Sequence, residues 1–291
     1  METPLHSSSD NLAPPGTTKM RPEHSLYPDV ADISHATPAL VEFLRYYFQA
    51  KSSHDADTWI KDFDISKIFY IDTVLGLHLS QENFEIMARS VMASAVMFFE
   101  DTPTMFGTEL RGISALDMEN GKVIRQVDYW DGRRAALASG RLPLDQYPSD
   151  FKESIVKRAP DPVIRDIVNR LHAALSTGDS SAVAQLLDVD AIWEDRTTRT
   201  ILDGRLAIER YLSRASSTLP YGAGMTIRHV VGSVQGGDYE WICGPGAAAR
   251  HGITALKLNE DRLITLISPL WDASYAGDDT MAALIRLTLE P

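Results

Sequence analysis

Val123-Ile124-Arg125-Gln126-Val127-Asp128-Tyr129-Trp130-Asp131-Gly132-Arg133-Arg134 is the stretch from which the fold can be read. Side chains on a strand alternate between faces, so Ile124, Gln126, Asp128 and Trp130 share one face, and Arg125, Val127 and Tyr129 the other. One face must be interior, and the run reads as a strand that carries an acid into a pocket. A second run, Arg262 to Asp272 (R-L-I-T-L-I-S-P-L-W-D), repeats the pattern of a turn, an apolar strand and a closing Trp-Asp. The chain therefore reads as a duplication.

Length agrees with that, because 291 residues suit two domains of ordinary size. Hydrophobic content of 44% and charged content of 23% are those of a globular protein in water. A net charge of -12 repels phosphate backbones, so nucleic acid is not an expected partner. No apolar run has the length of a membrane span. The one cysteine, Cys243, rules out an internal disulfide and any multi-cysteine metal site, and the expected compartment is the cytoplasm.

Along the chain, 1–35 is expected to be a flexible leader, 36–139 a first domain, 140–161 a linker with clustered prolines, 162–276 a second domain and 277–291 a tail. Val41, Leu44, Tyr47 and Phe48 recur as on one helical face. Trp59, Ile60 and Phe63 predict a second short helix, and Phe84, Met87, Ala88 and Val91 a third that starts near Ser80. A short strand over Ile68 to Asp72 stands between them. Further strands are expected near Ala95 to Glu100, Glu109 to Met118 and Val123 to Tyr129, the last two joined by a Glu119-Asn120-Gly121 turn.

The second half predicts the same order. Ile164, Ile167, Val168, Leu171 and Leu175 line a helix closed by Gly178, and Asp179 caps the next helix. A short strand follows over Ala191 to Asp195, then a helix with Ile208, Tyr211 and Leu212. Strands are predicted near Met225 to Val234, Tyr239 to Cys243, Gly252 to Leu258 and Arg262 to Leu270. Tyr70-Ile71-Asp72 matches Trp193-Glu194-Asp195, and Tyr129-Trp130-Asp131 matches Leu270-Trp271-Asp272. This is an α+β plan in two tandem units, with helices on one face of an antiparallel sheet.

The second half, with A-L-S-T-G-D-S-S-A-V-A-Q-L-L-D-V-D-A-I-W-E-D and D-G-R-L-A-I-E-R-Y-L, resembles the SnoaL-like polyketide cyclases of the nuclear transport factor 2-like superfamily. The first half, with F-Y-I-D and G-K-V-I-R-Q-V-D-Y-W-D, resembles the limonene epoxide hydrolase branch of the same superfamily. The resemblance implies two tandem cone-shaped α+β barrels, helices packed on a curved antiparallel sheet around an apolar pocket. It also implies a catalytic aspartate at Asp128 and a water-positioning tyrosine at Tyr70, with Asp72 in place of that branch's amide. Asp101 is the nearest match to a further acid of the branch, but Phe99 stands where its arginine belongs. In the second half Pro269 replaces the equivalent of Asp128, so that half has lost an acid.

The expected function is a cofactor-independent acid-base enzyme of secondary metabolism. It would cyclise, isomerise or open an epoxide in a small apolar metabolite, polyketide-like or terpenoid-like. Asp128, Asp72 and Tyr70 are its catalytic candidates, because two carboxyls in an apolar pocket push one pKa up, so that one donates a proton while the other accepts. Trp130, Gln126, Trp59 and Asp101 are candidates for substrate contact. In the second half Asp195, Trp193, His229, Trp241 and Trp271 are secondary candidates. The chemistry calls for no metal and no cofactor. Related single domains commonly pair, so the fused copy is expected to form an internal pseudo-dimer, or the chain a homodimer. The alternative is a noncatalytic binding or scaffold protein with two cones.

Overall fold

The computed structural model describes residues 17–19, 30–32, 38–52, 55–94, 104–105, 108–109, 111–133, 141–142, 146, 160–244 and 247–289. The expected strand near Ala95 to Glu100, Asp101, and nearly all of 140–161 lie outside them. Within 1–35, strands β1 (Thr17–Lys19) and β2 (Val30–Asp32) pair antiparallel.

The first half runs α1 (Pro38–Ser52), α2 (Ala56–Ile60), β3 (Phe69–Asp72), β4 (Leu77–Ser80), α3 (Gln81–Ser94), β5 (Thr104–Met105), β6 (Thr108–Glu109), β7 (Gly112–Glu119) and β8 (Lys122–Trp130). Asp55 caps α2 by accepting from the Thr58 N–H at 2.9 Å. The β7–β8 turn places Asn120 and Gly121 both at positive φ, 51° and 76°, the geometry of a two-residue hairpin loop matched to strand twist.

The second half runs α4 (Pro162–Thr177), α5 (Ser180–Ala184), β9 (Leu187–Asp195), β10 (Thr200–Asp203), α6 (Arg205–Ala215), β11 (Met225–Ser233), β12 (Gly236–Cys243), β13 (His251–Leu258), β14 (Ile264–Trp271) and α7 (Asp278–Arg286). Asp161 and Asp179 cap α4 and α5 with their carboxylates, and Gly178 closes α4 in the left-handed conformation. Met281 and Leu284 of α7 join the core of this half, so the tail packs on its own domain.

The sheets have the orders β4-β3-β8-β7 and β10-β9-β14-β13-β12-β11. Both depart from the all-antiparallel expectation in the same way, since β3 runs parallel to β8 and β9 parallel to β14. A parallel pair needs a long crossover, and in each half that crossover contains a helix, α3 or α6. The hairpin strands β4 and β10, adjoining β3 and β9, are additions to the sequence reading. Helices cover the inner face of each sheet. Tyr47, Trp59, Phe63, Phe84 and Val123 centre one core, and Leu171, Trp193, Tyr211, Trp241 and Trp271 centre the other.

The outer faces of the two sheets meet. Ile71, Ala115, Val127 and Tyr129 of the first half form one apolar cluster with Ile253 and Leu270 of the second. Beside it lies a buried charged seam. Arg125, 1% exposed, reaches Glu240 Oε1 at 2.9 Å and Oε2 at 2.7 Å, and Asp117 at 3.2 Å. Tyr129 donates to Glu240 at 2.6 Å, and Arg228 stands 3.3 Å from it. His229 Nε2 lies 3.1 Å from both oxygens of Asp117. A bulge delivers these last partners: pairing moves from Ile227 opposite Trp241 to His229 opposite Glu240, leaving Arg228 as the extra residue, so neighbours in sequence both serve the seam.

Burial alone would raise the Glu240 carboxyl, but Arg125 and then Arg228 outweigh it and hold it below its ordinary range. Asp117 is likewise lowered, its burial outweighed by His229 and Arg125. Asp238 is driven well up by burial and then by the charges of Glu240 and Asp117. At the other end of the contact the halves exchange equivalent bonds. Asp131 Oδ1 accepts from the Ala273 N–H at 3.0 Å, and Asp272 Oδ1 accepts from the Gly132 N–H at 3.1 Å. Such reciprocity is the mark of a two-fold relation.

A seam of this kind predicts one cooperative unfolding transition, with tryptophan fluorescence and far-UV circular dichroism coinciding in urea. Arg125→Leu should lower stability by about 3–5 kcal/mol, because it strands Glu240 and Asp117 in a buried site. Two resolved transitions would show the halves to be independent. Because Glu240 and Asp117 are depressed in the fold, the stability they contribute is present above their unfolded pKa values, near about 4. Denaturation at pH 2–4 should show it being lost as pH falls.

Candidate functional site

Paired strands put the acids of the first half side by side. Tyr70 stands opposite Gln126 and Asp72 opposite Asp128 on β3 and β8, all four facing the helices. On the other side of β8, the β7 register sets Ser114 opposite Asp128 and Leu116 opposite Gln126. Asp128 Oδ2 accepts from the Tyr70 hydroxyl at 2.6 Å. Its Oδ1 accepts from Ser114 Oγ at 2.6 Å and from Gln126 Nε2 at 2.8 Å. Gln126 Oε1 in turn accepts from the Tyr47 hydroxyl of α1 at 2.8 Å. Burial raises both phenols well above their ordinary pKa, and the charge of Asp128 raises them further, so each remains a donor.

The carboxylate is thus held by three side-chain donors at the edge of an aromatic and aliphatic wall built from Phe84, Leu79, Met87 and Leu116. Asp128 is half-buried and Ser114 exposed, so the cluster reaches solvent. A carboxylate so oriented can take a proton from a bound hydroxyl, water or activated C–H group and return it elsewhere.

Asp72 is placed differently. Its Oδ1 accepts from the backbone N–H groups of Val74 and Leu75 at 3.0 and 2.8 Å, and the Trp130 indole donates to both oxygens at 3.1 and 3.0 Å. Burial pushes the carboxyl up to about 7, the N–H of Leu75 opposes the rise, and the charge of Asp128 adds to it. Asp195 repeats the turn in the second half, accepting from Thr197 and Thr198 N–H at 3.0 and 2.8 Å. Closing the turn after the first inner strand is therefore a task common to both copies.

The rest of the second inner face is lined by buried aromatic rings. The Tyr221 hydroxyl, rather than Trp271, supplies the side-chain donor to Asp195, at 2.7 Å. Trp193, Tyr221 and Trp241 pack ring against ring, and Trp241 donates to Thr254 at 3.1 Å. Trp241 also lies over Gly252, where a Cβ would come within 2.3 Å of the indole. The equivalent Gly112 of the first half meets nothing nearer than 3.5 Å.

Several sequence candidates occupy unexpected places. His229, expected to line the second cone, faces away from it and serves the interdomain seam. His251 also faces the seam: it meets the Tyr129 ring edge-on, and burial depresses its pKa to about 3. The reason is strand parity displaced by the Arg228 bulge for His229, and the pairing of His251 with Ile242 on the outer face. Trp59 is a core residue in edge contact with Tyr47 and Phe63. Gln126 is fully buried, with its polar atoms turned to Tyr47 and Asp128. Ser114 and Tyr47, not candidates from the sequence, complete the set around Asp128 and Gln126. Among the described residues no cluster of three or more His, Cys, Asp or Glu could hold a metal ion, and no helix is long and apolar enough to cross a membrane.

No family model matches this chain, and no curated protein does. The similar solved structures named below each span less than half of it. One is an uncharacterized protein with a cystatin-like fold from Silicibacter pomeroyi, 20% identical over 44% of this chain and 85% of that one, TM-score 0.36. Another is a steroid delta-isomerase from Pseudomonas aeruginosa, 14% identical over 44% and 90%, TM-score 0.34. A third is an epoxide hydrolase/cyclase-like enzyme with a role in pyran ring formation in the polyether salinomycin, 15% identical over 37% and 88%, TM-score 0.31. Others are NTF2-like or SnoaL-like proteins of unknown function.

The contrast between the two inner faces is testable with a thiol, because burial pushes the native Cys243 up to about 12, which slows its alkylation. Ser114→Cys should be alkylated by iodoacetamide at least about 100-fold faster than Thr254→Cys, read by intact-protein mass spectrometry. Equal rates would contradict the burial of Thr254. Asp72 makes a separate prediction. Its folded pKa of about 7 lies above the unfolded value near about 4, so the stability it contributes is full below pH 4 and is lost as pH rises to 7. Asp72→Asn should flatten that decline in thermal melts taken from pH 4 to 8.

Proposed function

We propose that the first half is a cofactor-independent acid-base catalyst acting on a small apolar metabolite, by isomerisation, cyclisation or epoxide opening. Asp128 is the proton-transferring group. Tyr70 and Ser114 orient it with the hydroxyl hydrogens they donate to it, and Asp72 acts on it electrostatically from the neighbouring strand. The observation that carries this reading is the carboxylate of Asp128, held by three donors against an aromatic wall, in the half whose inner face reaches solvent. The second half serves as an internal partner, and the chain acts as a pseudo-dimer. The names of the isomerase and epoxide hydrolase/cyclase-like structures supply the reaction classes to be tried.

A binding protein without chemistry is the second reading. It is favoured by the turn-closing bonds of Asp72, which Asp195 repeats and which give that acid a structural reason to exist.

The experiment is to incubate the protein with limonene 1,2-epoxide, with a β,γ-unsaturated 3-ketosteroid and with extract of its source cells, and to identify products by mass spectrometry. Conversion that falls by about 10²–10⁴-fold in Asp128→Asn, with ligand retention intact, is the expected result. Compounds retained but returned unchanged, equally by both proteins, would establish the binding reading. Undiminished conversion by Asp128→Asn would remove Asp128 from the chemistry.

A further inference from the structure

We propose that Tyr47 and Gln126 are positioning residues, a relay from α1 through β8 that fixes the orientation of the Asp128 carboxylate. The inference rests on the reading of Asp128 as the proton-transferring group.

The two copies can be aligned by structure, position by position. Asp55 and Asp179 cap equivalent helices, and Pro38 and Pro162 open the helices before them. Phe63 bridges Val123 as Leu187 pairs with Ile264. Extra residues at Ile124 and Thr265 bulge the equivalent hairpins. Asp128 and Pro269 accept equivalent backbone bonds, from Thr73 and Arg196. On this register Tyr47 corresponds to Leu171, Trp59 to Val183 and Gln126 to Ile267, while Asp128 corresponds to Pro269.

Leu171, Val183 and Ile267 are all buried in the second core. The same architecture is therefore built there from aliphatic groups alone, and the fold does not require a phenol or an amide at these places. An amide and a phenol inside an aromatic core are costly unless fully bonded. Where the acid is present the polar set is present, and where proline replaces the acid the whole set is aliphatic.

The direction of the relay is fixed at the carboxylate, which can only accept and so takes the Gln126 amide nitrogen as its donor, leaving Oε1 to face Tyr47. The phenol hydrogen is then given to Gln126 Oε1. Every donor in the series points toward the carboxylate. Together with Ser114 on Oδ1 and Tyr70 on Oδ2, this leaves Oδ2 with the lone pair free to meet a substrate.

The test uses protein labelled with ¹⁵N-glutamine, the Gln126 amide being identified by its loss in Gln126→Met. The amide protons of Gln126 should be protected from solvent exchange in the native protein, and Tyr47→Phe should cut that protection at least about tenfold while melting stays cooperative. A second variant replaces the relay with the residues of the other copy, Tyr47→Leu with Gln126→Ile. It should melt within a few degrees of the native protein, and its kcat on any probe the native protein converts should fall at least about 30-fold with KM little changed.

An unprotected Gln126 amide, or protection indifferent to Tyr47→Phe, would overturn the relay. So would native kcat in the double variant. Protection that depends on Tyr47 in a protein that converts none of the probes supports the relay while counting against the acid-base reading, so the two can fail separately.

Discussion

Strand β8 is buried on both faces, and most of the molecule can be understood as what that requires. One face carries Gln126, Asp128 and Trp130 toward the helices, and the other carries Arg125, Val127 and Tyr129 into the second half. A guanidinium taken out of water is tolerable only with carboxylates brought to it. Glu240 and Asp117 are those carboxylates, one from each half. The strand that presents the candidate acid is thereby held from behind by a residue more than a hundred positions away. Any looseness at the contact between the halves would be felt one residue along the strand, at Asp128.

The duplication separates what the fold needs from what the site needs. Features found in both copies have structural explanations: the carboxylates of Asp72 and Asp195 close the same turn, equivalent bulges bend the same hairpins, and Asp131 and Asp272 exchange bonds across the two-fold. Features found in one copy do not. Asp128, Gln126 and Tyr47 have Pro269, Ile267 and Leu171 as their counterparts, and tryptophan and tyrosine rings pack on the second inner face. An acid preserved in both copies is weaker evidence for chemistry than one found in a single copy with its donors around it. That ordering favours Asp128 over Asp72.

The sequence made much of this legible. Alternation in β8 placed Asp128 with Gln126 and Trp130, the repeated Trp-Asp exposed the duplication, and Asn120-Gly121 marked the hairpin. Single-residue insertions hid the rest. With a regular ladder from the turn, Ser114 would stand opposite Val127; the bulge at Ile124 moves it opposite Asp128. The Arg228 bulge likewise turned His229 away from the pocket it was expected to line. Tyr47 could be placed on an apolar helical face, but periodicity carries no information about a hydroxyl at the end of a ring. The seam escaped because Arg125 and Glu240 sit in different halves, and no local pattern connects them.

Fusion of the two copies also bears on why the site can exist at all. In a symmetric dimer of one chain, every substitution appears twice, so an arginine at the outer face of β8 would face the same surface that carries it. Arg125 has Leu266 as its counterpart, and the seam works because only one side supplies the guanidinium at that position. Equivalent residues still meet at the axis, through Asp131 and Asp272, so the older symmetry is retained where it does no harm. Elsewhere the halves differ: aromatic rings pack on the inner face of one, and the other carries an oriented carboxylate that reaches solvent. A packed neighbour covalently tied to an open site is a means of holding that site's geometry without filling it.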